Sequence, residues 1–373
     1  MKKFFIAVII LLTVANVAHA AQKKSAWSPE LRIGLTSGVK QVTLKVSAPC
    51  LLVDAKTGKR IGKIPAEKNF VINFDKLNVD SAEIRPKEIF LQDLLTTIDG
   101  KNYFGGLRLN KVKNSLTVIN LVPIEKYLRG VVAKEMSPSF PIESLKAQTV
   151  AARSFAMKNR KRHESEGFDL CATTHCQVYD GAAEFDSINR AVDETRGEIL
   201  MFGGKIADAN FHTDSGGMTE DVADVWGSAV PYLIAVREII KLGEPWTLKF
   251  TVKDFSSRFG DGFGDLNSIK LSALTIGKKS SDRSASGRVK SAQIVGTKKI
   301  VTITGNDLRR KFSLPSTLFD MKIDGGEIIF MGYGHGHGVG MSQIGAKSYA
   351  EDGWDCEKIL AHYYRGAQLK KVY

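Results

Sequence analysis

The sequence predicts an α+β protein with a β-rich N-terminal region, and three observations support this. Between residues 27 and 119, short segments rich in β-branched and apolar residues alternate with Gly and Asp turns, as strands do. From Pro123 onward the apolar residues recur at helical spacing, and strand-like segments return later in the chain. The chain has 373 residues, of which 43% are hydrophobic and 25% charged, a globular profile that excludes a mainly disordered chain. Four cysteines in this length also exclude a disulfide scaffold.

The first residues predict a secretory signal peptide. Lys2 and Lys3 precede an almost wholly apolar run over 4–17, and Ala18-His19-Ala20 is a small-x-small cleavage signature. The alternative is an uncleaved membrane anchor, but the apolar run is short for a spanning helix, which needs about 20 residues. We therefore expect residues 1–20 to be removed and the protein to be exported to the periplasm or cell wall.

The charge balance predicts an anionic partner. Lys and Arg number 53 against 40 Asp and Glu, which gives a net charge of +13. Such an excess suits nucleic acid, a membrane surface or a cell-wall polymer. Export makes nucleic acid the least suitable of the three, and no segment after the signal peptide is apolar enough to span a membrane.

The first helix carries the sharpest candidate residue. Ile124, Leu128, Val131 and Glu135 fall on one helical face, so that Glu135 stands where a core residue is expected. Apolar surroundings destabilise a carboxylate and raise its pKa, which makes a general acid available near neutral pH. The alternative is a helix-end glutamate turned into solvent.

A second, Ala-rich helix is predicted from Pro141 to about Arg162. It contains Arg153 among alanines, an unusual place for a charge, and we expect a carboxylate or a bound anion as its partner. Later in the chain, the tract 260–287 is rich in Gly, Ser and Lys, which predicts a mobile surface segment.

Two groups of histidines are candidates for metal binding. Cys171, His175 and Cys176 lie within six residues, and His163 is eight residues earlier; a zinc site, a Cys171–Cys176 disulfide and free thiols are all compatible with this spacing. His335 and His337 alternate with glycines. On a strand both imidazoles would point to one side as a metal pair, but the glycines favour a closely approached backbone that lines a substrate cleft.

Taken together, these segments resemble the stage II sporulation protein D (SpoIID)/LytB family. The resemblance runs in order from about residue 120 to 366. It is carried by YLRGVVAKEM at 127–136, ESLKAQTVAARSF at 143–155, CQVYDG at 176–181, SGGMT at 215–219, SGR at 286–288, GHGHGVGMSQIGA at 334–346 and ILAHYYRG at 359–366. The resemblance implies a core over 120–373 that follows the β-rich region of 27–119, with mixed strands and helices around a glycan-binding cleft.

The resemblance also implies a function at the cell wall. The family contains lytic transglycosylases, which cut peptidoglycan glycan strands stripped of stem peptides, and proteins described as amidase enhancers. It implies Glu135 as the catalytic acid, Arg153 as a required arginine, and a structural zinc ion. It implies four zinc ligands and five substrate-binding residues: His163, Cys171, His175 and Cys176 for zinc, and Arg153, Gln148, Ser215, His337 and Gln343 for substrate.

The sequence therefore predicts an exported transglycosylase that produces 1,6-anhydroMurNAc ends on glycan strands. One acid/base residue suffices for this reaction, whereas ordinary glycosidases need two carboxylates, and the sequence shows no obvious second one. Two alternatives remain open. One is a non-catalytic glycan binder that enhances a cell-wall amidase. The other is a zinc hydrolase that uses His212, His335 or His337 with a carboxylate ligand beside them.

Overall fold

The structure, a computed structural model, describes residues 28–239 and 243–373. The expected signal peptide, residues 1–20, lies outside this part of the chain. The described residues form two compact units, one of 28–126 with Tyr373 and one of 127–372. The mixture of helices and strands confirms the α+β class.

The first unit is built from antiparallel strands. They are β1 (Glu30–Val39), β2 (Gln41–Val46), β3 (Cys50–Asp54), β4 (Arg60–Ile64), β5 (Phe70–Asn73), β6 (Ser81–Pro86), β7 (Leu95–Ile98), β8 (Lys101–Phe104), β9 (Gly106–Val112) and β10 (Ser115–Pro123). Within this unit one sheet has the order β1-β10-β9-β6-β3-β4 and a second has the order β5-β2-β7-β8. Strand β10 is buried along nearly its whole length, because its apolar residues pack between β1 and β9.

The boundary between the units falls inside the first helix, α1 (Ile124–Glu135), which leads into α2 (Ile142–Lys158). Helix α2 is central to the second unit, since most of its residues are buried. Small alanine side chains allow this close packing on several elements at once. The neighbours of α2 are α3 (Asp186–Glu194), β12 (Glu198–Phe202), α7 (Gln343–Glu351) and α8 (Cys356–Tyr363).

Short elements complete the framework around α2. They are β11 (Leu170–Cys171), β13 (Lys205–Ile206), β14 (Phe211–His212), α4 (Val222–Trp226), β21 (Met341–Ser342) and β22 (Gln368–Lys371). Strand β12 pairs with β13 and β22, and β14 pairs in parallel with β21. This last pairing brings residues 211–212 beside 341–342, although more than 120 residues separate them in sequence.

The segment between α4 and β21 has a core of its own. Its elements are β15 (Trp246–Thr251), α5 (Val252–Ser257), β16 (Leu266–Lys270), β17 (Ser291–Gly296), β18 (Ile300–Thr304), α6 (Gly305–Phe312), β19 (Phe319–Asp324) and β20 (Glu327–Gly332). They form the sheets β15-β20-β19 and β16-β17-β18. Stacked phenylalanines fill the space between the elements: the rings of Phe255 and Phe312 have centroids 4.8 Å apart.

Most of the tract 260–287 lies at the surface, as expected, but the tract is not irregular throughout. Strand β16 pairs with β17 there, and Arg283, Ser284 and Ser286 are buried. The guanidinium of Arg283 donates hydrogen bonds to the carbonyls of Gly287 and Phe319, which satisfies a buried cation that a composition-based prediction cannot place. Within residues 28–239 and 243–373, no helix combines the length and the apolar character needed to cross a bilayer.

Candidate active site

Glu135 is the last residue of α1, and its side chain is partly buried. Its Oε2 accepts a hydrogen bond from Nε2 of Gln343 at 3.1 Å, and the backbone N–H of Val178 also donates to the carboxylate. Burial raises the pKa of Glu135, and the two hydrogen bonds offset this only in part, so the pKa lies above its ordinary value. The protonated carboxyl is therefore populated to a higher pH than in an ordinary glutamate, which is the property that a general acid needs.

Val178 lies near the end of α1 because the segment that follows it, residues 179–181, packs closely on Gly130 of this helix. A Cβ at residue 130 would stand 2.3 Å from the carbonyl oxygen of Gly181 and 2.7 Å from Cε2 of Tyr179. The rings of Tyr127 and Tyr179 pack together with centroids 4.9 Å apart. Glycine is thus required at position 130, where it lets residues 179–181, which follow Val178, pack closely on α1.

Glu135 lines a pocket of about 630 Å³ within the second unit, a size in the range of small-molecule sites. The pocket also holds a second carboxylate, Asp208, the exposed ring of Trp226, and two cations, Arg162 and Arg309. The remaining lining residues are Phe155, Thr174, His175, Cys176, Gln177, Val178, Asn210, Phe211, His212, Thr213, Gly336 and His337. Acidic, basic and aromatic groups therefore face one space.

Two imidazoles stand together in the pocket wall. The rings of His212 and His337 have centroids 5.6 Å apart, and Trp226 lies 5.3 Å from His337. Burial lowers the pKa of His212 well below its usual range and that of His337 to about 4, so both are neutral at neutral pH. Nδ1 of His212 lies 3.1 Å from the carbonyl of Val339, so that this nitrogen carries the proton. Nε2 of His212 is then an acceptor, and it has no partner among the described residues.

The glycines around His337 serve close packing. Gly336 has a φ of +104°, and a Cβ there would stand 2.8 Å from Cβ of His212. A Cβ at Gly338 would stand 2.6 Å from Nε of Arg288. Here other side chains approach the backbone, which explains the alternation of glycine in this segment.

The two histidines of this segment have different surroundings, because residues 335 and 337 do not belong to a regular strand. His335 is exposed, makes an isolated bridge to Asp214 and does not line the pocket. His337 does line the pocket, and its Nδ1 accepts a hydrogen bond from the N–H of Val339 at 3.0 Å. The alternative in which His335 and His337 point to one side of a strand as a metal pair is therefore wrong.

The four predicted zinc ligands come together at the edge of this pocket. Their ligand atoms all lie within 4.8 Å of one another. His163 Nε2 is 3.3 Å from His175 Nδ1, Cys176 Sγ is 3.5 Å from His163 Nε2, and Cys171 Sγ is 3.7 Å from His175 Nδ1. Cys171 and Cys176 are free thiols rather than a disulfide.

These separations fit tetrahedral zinc. Zinc–nitrogen bonds of about 2.0 Å and zinc–sulfur bonds of about 2.3 Å place the ligand atoms about 3.3–3.8 Å apart. A carboxylate also orients one imidazole, since Glu166 Oε1 is 2.5 Å from His163 Nδ1. Burial opposes ionisation of Cys171, but hydrogen bonds from Thr173 and His175 outweigh it and lower the pKa of this thiol to about 6. The four residues could therefore hold a zinc ion with no position left open for water.

No other group of three or more such ligands occurs in the part of the chain that the structure describes. His212 and His337 are therefore not joined by the carboxylate that a zinc hydrolase requires. Within the described residues, the zinc hydrolase considered from the sequence therefore lacks a complete set of metal ligands.

Of the five predicted substrate-binding residues, two belong to the site: Gln343 contacts Glu135, and His337 lines the pocket. The other three, Arg153, Gln148 and Ser215, are completely buried and do not line it. Nη1 of Arg153 donates to the carbonyl of Glu198 at 3.1 Å, so this arginine ties α2 to β12.

Ser215 and Gln148 have different surroundings. The hydroxyl of Ser215 donates to the carboxylate of Glu238 and accepts from the N–H of Gly217 at 2.9 Å. The side-chain amide of Gln148 has no hydrogen-bond partner among the described residues. Ser215 thus belongs to a buried polar network, whereas Gln148 is an uncompensated polar group within helix α2.

Three residues of the site were not predicted from the sequence: Asp208, Trp226 and Arg309. Arg309 stands in the run Arg309-Arg310-Lys311 near the end of a short helix, where the pattern indicates only a solvated basic face. Asp208 follows a two-residue strand and carries no local signal. For Trp226 the available indication was its place in the pair Val225-Trp226, which the family resemblance includes.

Comparison with known proteins identifies the family. Residues 112–202, which contain Glu135 and the cysteine–histidine cluster, match the family model described as stage II sporulation protein. Residues 245–340, which contain Arg309, match a domain of unknown function (DUF8618).

Three relatives extend this match. An uncharacterized protein of Brachyspira hyodysenteriae is 31% identical over 91% of this chain and 92% of its own length. Stage II sporulation protein D of Bacillus amyloliquefaciens is 34% identical over 67% of this chain and 75% of its own length. The amidase enhancer of Bacillus subtilis is 30% identical over 81% of this chain and 49% of its own length. The chain therefore belongs to the stage II sporulation protein D (SpoIID)/LytB family.

Proposed function

We propose that the protein is an exported lytic transglycosylase that cleaves the MurNAc–GlcNAc bond of peptidoglycan, with Glu135 as its acid and base. Membership of the SpoIID/LytB family points to a cell-wall-related function. The observation that carries the proposal is Glu135 itself. It is a partly buried carboxyl with a raised pKa, it is oriented by Gln343 and Val178, and it lines a pocket of about 630 Å³.

In the proposed reaction, one carboxyl group transfers two protons in turn. Protonated Glu135 donates its proton to the glycosidic oxygen as the bond from this oxygen to C1 of MurNAc breaks. The C6 hydroxyl of the same MurNAc then forms a bond to C1 and gives its proton to the Glu135 carboxylate. The products are a GlcNAc end with a free 4-hydroxyl and a 1,6-anhydroMurNAc end. No water is consumed, and the carboxyl returns to its starting state.

Other pocket residues have proposed roles in substrate binding. The ring of Trp226 is exposed beside His337, where it could pack on the face of a sugar. Nε2 of His212 is an unpartnered acceptor suited to a sugar hydroxyl or an acetamido N–H. We propose that Arg153 and Ser215 support the site through buried contacts and that Gln343 positions the Glu135 carboxyl.

The second pocket carboxylate makes product analysis decisive. Asp208 accepts a hydrogen bond from Nδ2 of Asn159 at 3.0 Å and lines the same pocket as Glu135. Ordinary glycoside hydrolases use two carboxylates, one as the acid and one as the base or nucleophile. Mass spectrometry of products from purified sacculi distinguishes the reactions, because a hydrolase leaves reducing MurNAc ends in place of 1,6-anhydro ends.

The preferred substrate is proposed to be glycan stripped of stem peptides. Sacculi treated beforehand with a stem-peptide amidase should release anhydro products faster than untreated sacculi. Equal rates on both would contradict this preference.

A second candidate function is that of a non-catalytic enhancer of a cell-wall amidase. The specific observation in its favour is the 30% identity to a protein named amidase enhancer. In this case the pocket would bind glycan without cleaving it, and the protein would stimulate an added amidase. Stimulation that persists in a Glu135→Gln variant, with no anhydro products from the wild type, would favour the enhancer.

We also propose a structural zinc ion held by His163, Cys171, His175 and Cys176. Four protein ligands leave no coordination site for water or substrate, so the metal would stabilise the loop that carries Cys176 and Val178. Export is proposed as well, and N-terminal sequencing of secreted protein should give Ala21 as the first residue. Finding Met1 there would contradict cleavage.

A further inference from the structure

Arg309 is a cation in the pocket wall without an acidic partner. It lies on α6, is partly buried, and its Nε donates to the carbonyl of Leu314 at 3.3 Å. Nη1 and Nη2 have no hydrogen-bond or salt-bridge partner within residues 28–239 and 243–373. The bond from Nε fixes the plane of the guanidinium and leaves its end-on pair of nitrogens for a ligand.

The groups around Arg309 do not neutralise it. Burial is the main cause of the lowered pKa values of His212 and His337, and the positive charge of Arg309 adds to it, so that both imidazoles are neutral. Arg288, fully buried nearby, adds a second positive charge. Glu220 offsets the charge of Arg288 by attraction, but no carboxylate has a comparable effect on Arg309.

A partly desolvated arginine without a counter-ion, in the pocket that holds Glu135, indicates an anionic ligand. A planar carboxylate matches the end-on guanidinium through two parallel hydrogen bonds. On a glycan strand, the group with this chemistry is the lactyl carboxylate of a MurNAc residue that has lost its stem peptide.

We propose that Arg309 binds this free lactyl carboxylate and thereby selects stripped glycan. The proposal rests on the proposed function, since it takes glycan as the substrate. In intact peptidoglycan the same carbonyl carbon forms an amide with the peptide, so it carries no charge and offers one acceptor oxygen in place of two. Binding the amide would leave Arg309 desolvated and poorly paired, which disfavours the unprocessed strand.

The proposal also assigns a role to the segment 245–340, which matches a domain of unknown function. This segment folds around its own phenylalanine-rich core and contributes Arg309 to the pocket. The acid, Glu135, comes from the part of the chain that matches the sporulation-protein model. The bond-cleaving group and the substrate-selecting group would thus come from two separately recognisable parts of one unit.

Arg162 is the other pocket cation, and two observations make it the weaker choice. It is exposed, and it packs over the ring of Phe155 at 5.8 Å from the centroid. It therefore lacks both the desolvation and the fixed orientation of Arg309.

The test measures binding of two tetrasaccharides, (GlcNAc–MurNAc)₂ with free lactyl carboxylates and the same chain with lactyl carboxamides. All proteins carry Glu135→Gln so that the chains stay intact, and affinities come from isothermal titration calorimetry. We expect the parent to bind the carboxylate chain about 10- to 100-fold more tightly, the usual value of a charge-assisted pair. Arg309→Gln should abolish this preference, mainly by weakening binding of the carboxylate chain.

Matched variants decide the assignment. Arg310→Gln removes the same charge from the next residue, which is exposed and paired with Asp307, and it should keep the preference. Arg309→Lys keeps the positive charge but lacks the two parallel N–H donors of the guanidinium, so it should keep part of the preference for the carboxylate chain. If Arg309→Gln does not fold, the preference of the parent and its decrease with added salt still test the proposal.

Three results would overturn the proposal: equal affinity of the parent for both chains, an unchanged preference in Arg309→Gln, or loss of the preference in Arg162→Gln instead. Release of 1,6-anhydro products by the wild-type protein tests the proposed function separately. Product release without a carboxylate preference overturns the role of Arg309 alone. A carboxylate preference that Arg309→Gln abolishes, without product release by the wild-type protein, supports Arg309 and rejects the transglycosylase.

Discussion

Replacing Glu135 by glutamine should abolish cleavage and leave the fold intact. The amide oxygen can still accept the hydrogen bond that the structure shows from Gln343, at 3.1 Å, and the side chain keeps the shape of the carboxyl. It cannot donate a proton to the glycosidic oxygen or take one from the C6 hydroxyl. A positioned acid/base contributes about 10²- to 10⁴-fold, which corresponds to about 3–5.5 kcal/mol of transition-state free energy.

Although Glu135→Gln should abolish activity, it should raise the free energy of unfolding at neutral pH. Because burial raises the pKa of Glu135 above its unfolded value of about 4.3, folding favours the protonated group. The wild-type protein therefore loses stability as pH rises from the unfolded pKa through the folded pKa. Glutamine does not ionise, so the variant should be the more stable protein at pH 7, and the difference should vanish below about pH 4.

Two assays test this pair of effects. Mass spectrometry follows release of 1,6-anhydromuramyl products, and urea unfolding at pH 4 and pH 7 follows the free energy of unfolding. Lys134→Gln, at the preceding exposed residue, is the matched control and should retain activity. Product release near the wild-type rate by folded Glu135→Gln would refute Glu135 as the acid and leave the enhancer as the better proposal.

Three further predictions follow from buried contacts. Arg153→Met should lower the free energy of unfolding in urea by about 2–4 kcal/mol, since it leaves buried carbonyls on α3 and β12 without donors; an unchanged value would contradict its structural role. Cys176→Ser should lose bound zinc, measured by metal analysis, and lower Tm, whereas Cys50→Ser should keep the metal because Cys50 lies outside the cluster. Absence of zinc from wild-type protein purified without chelator would reject the site. Gly130→Ala should cost about 1–3 kcal/mol and slow product release, because its Cβ meets a carbonyl oxygen; a fully active, equally stable variant would count against the close packing.

Local patterns in the sequence were sufficient to predict the elements that carry Glu135 and the cysteine–histidine cluster. The stripe of Ile124, Leu128 and Val131 is fully buried in α1, and Glu135 follows it as the helical period requires. Such a stripe is encoded within a few turns of one helix, so no distant residue is needed to recognise it. The cysteine–histidine cluster was recognisable for the same reason, since three of its four residues stand within six residues.

Only the tertiary structure decided which distant residues join this acid. Gln343 contacts Glu135 from a position 208 residues away, and Arg309 shares their pocket from a helix whose local pattern looks like a solvated basic face. Tertiary packing likewise buries Arg153, because its hydrogen-bond partners come from α3 and β12. The sequence thus determined the chemistry available and the elements that bear it. Which charges are buried, paired or left facing the pocket depends on long-range packing, because desolvation and pairing are set by neighbours that local periodicity does not record.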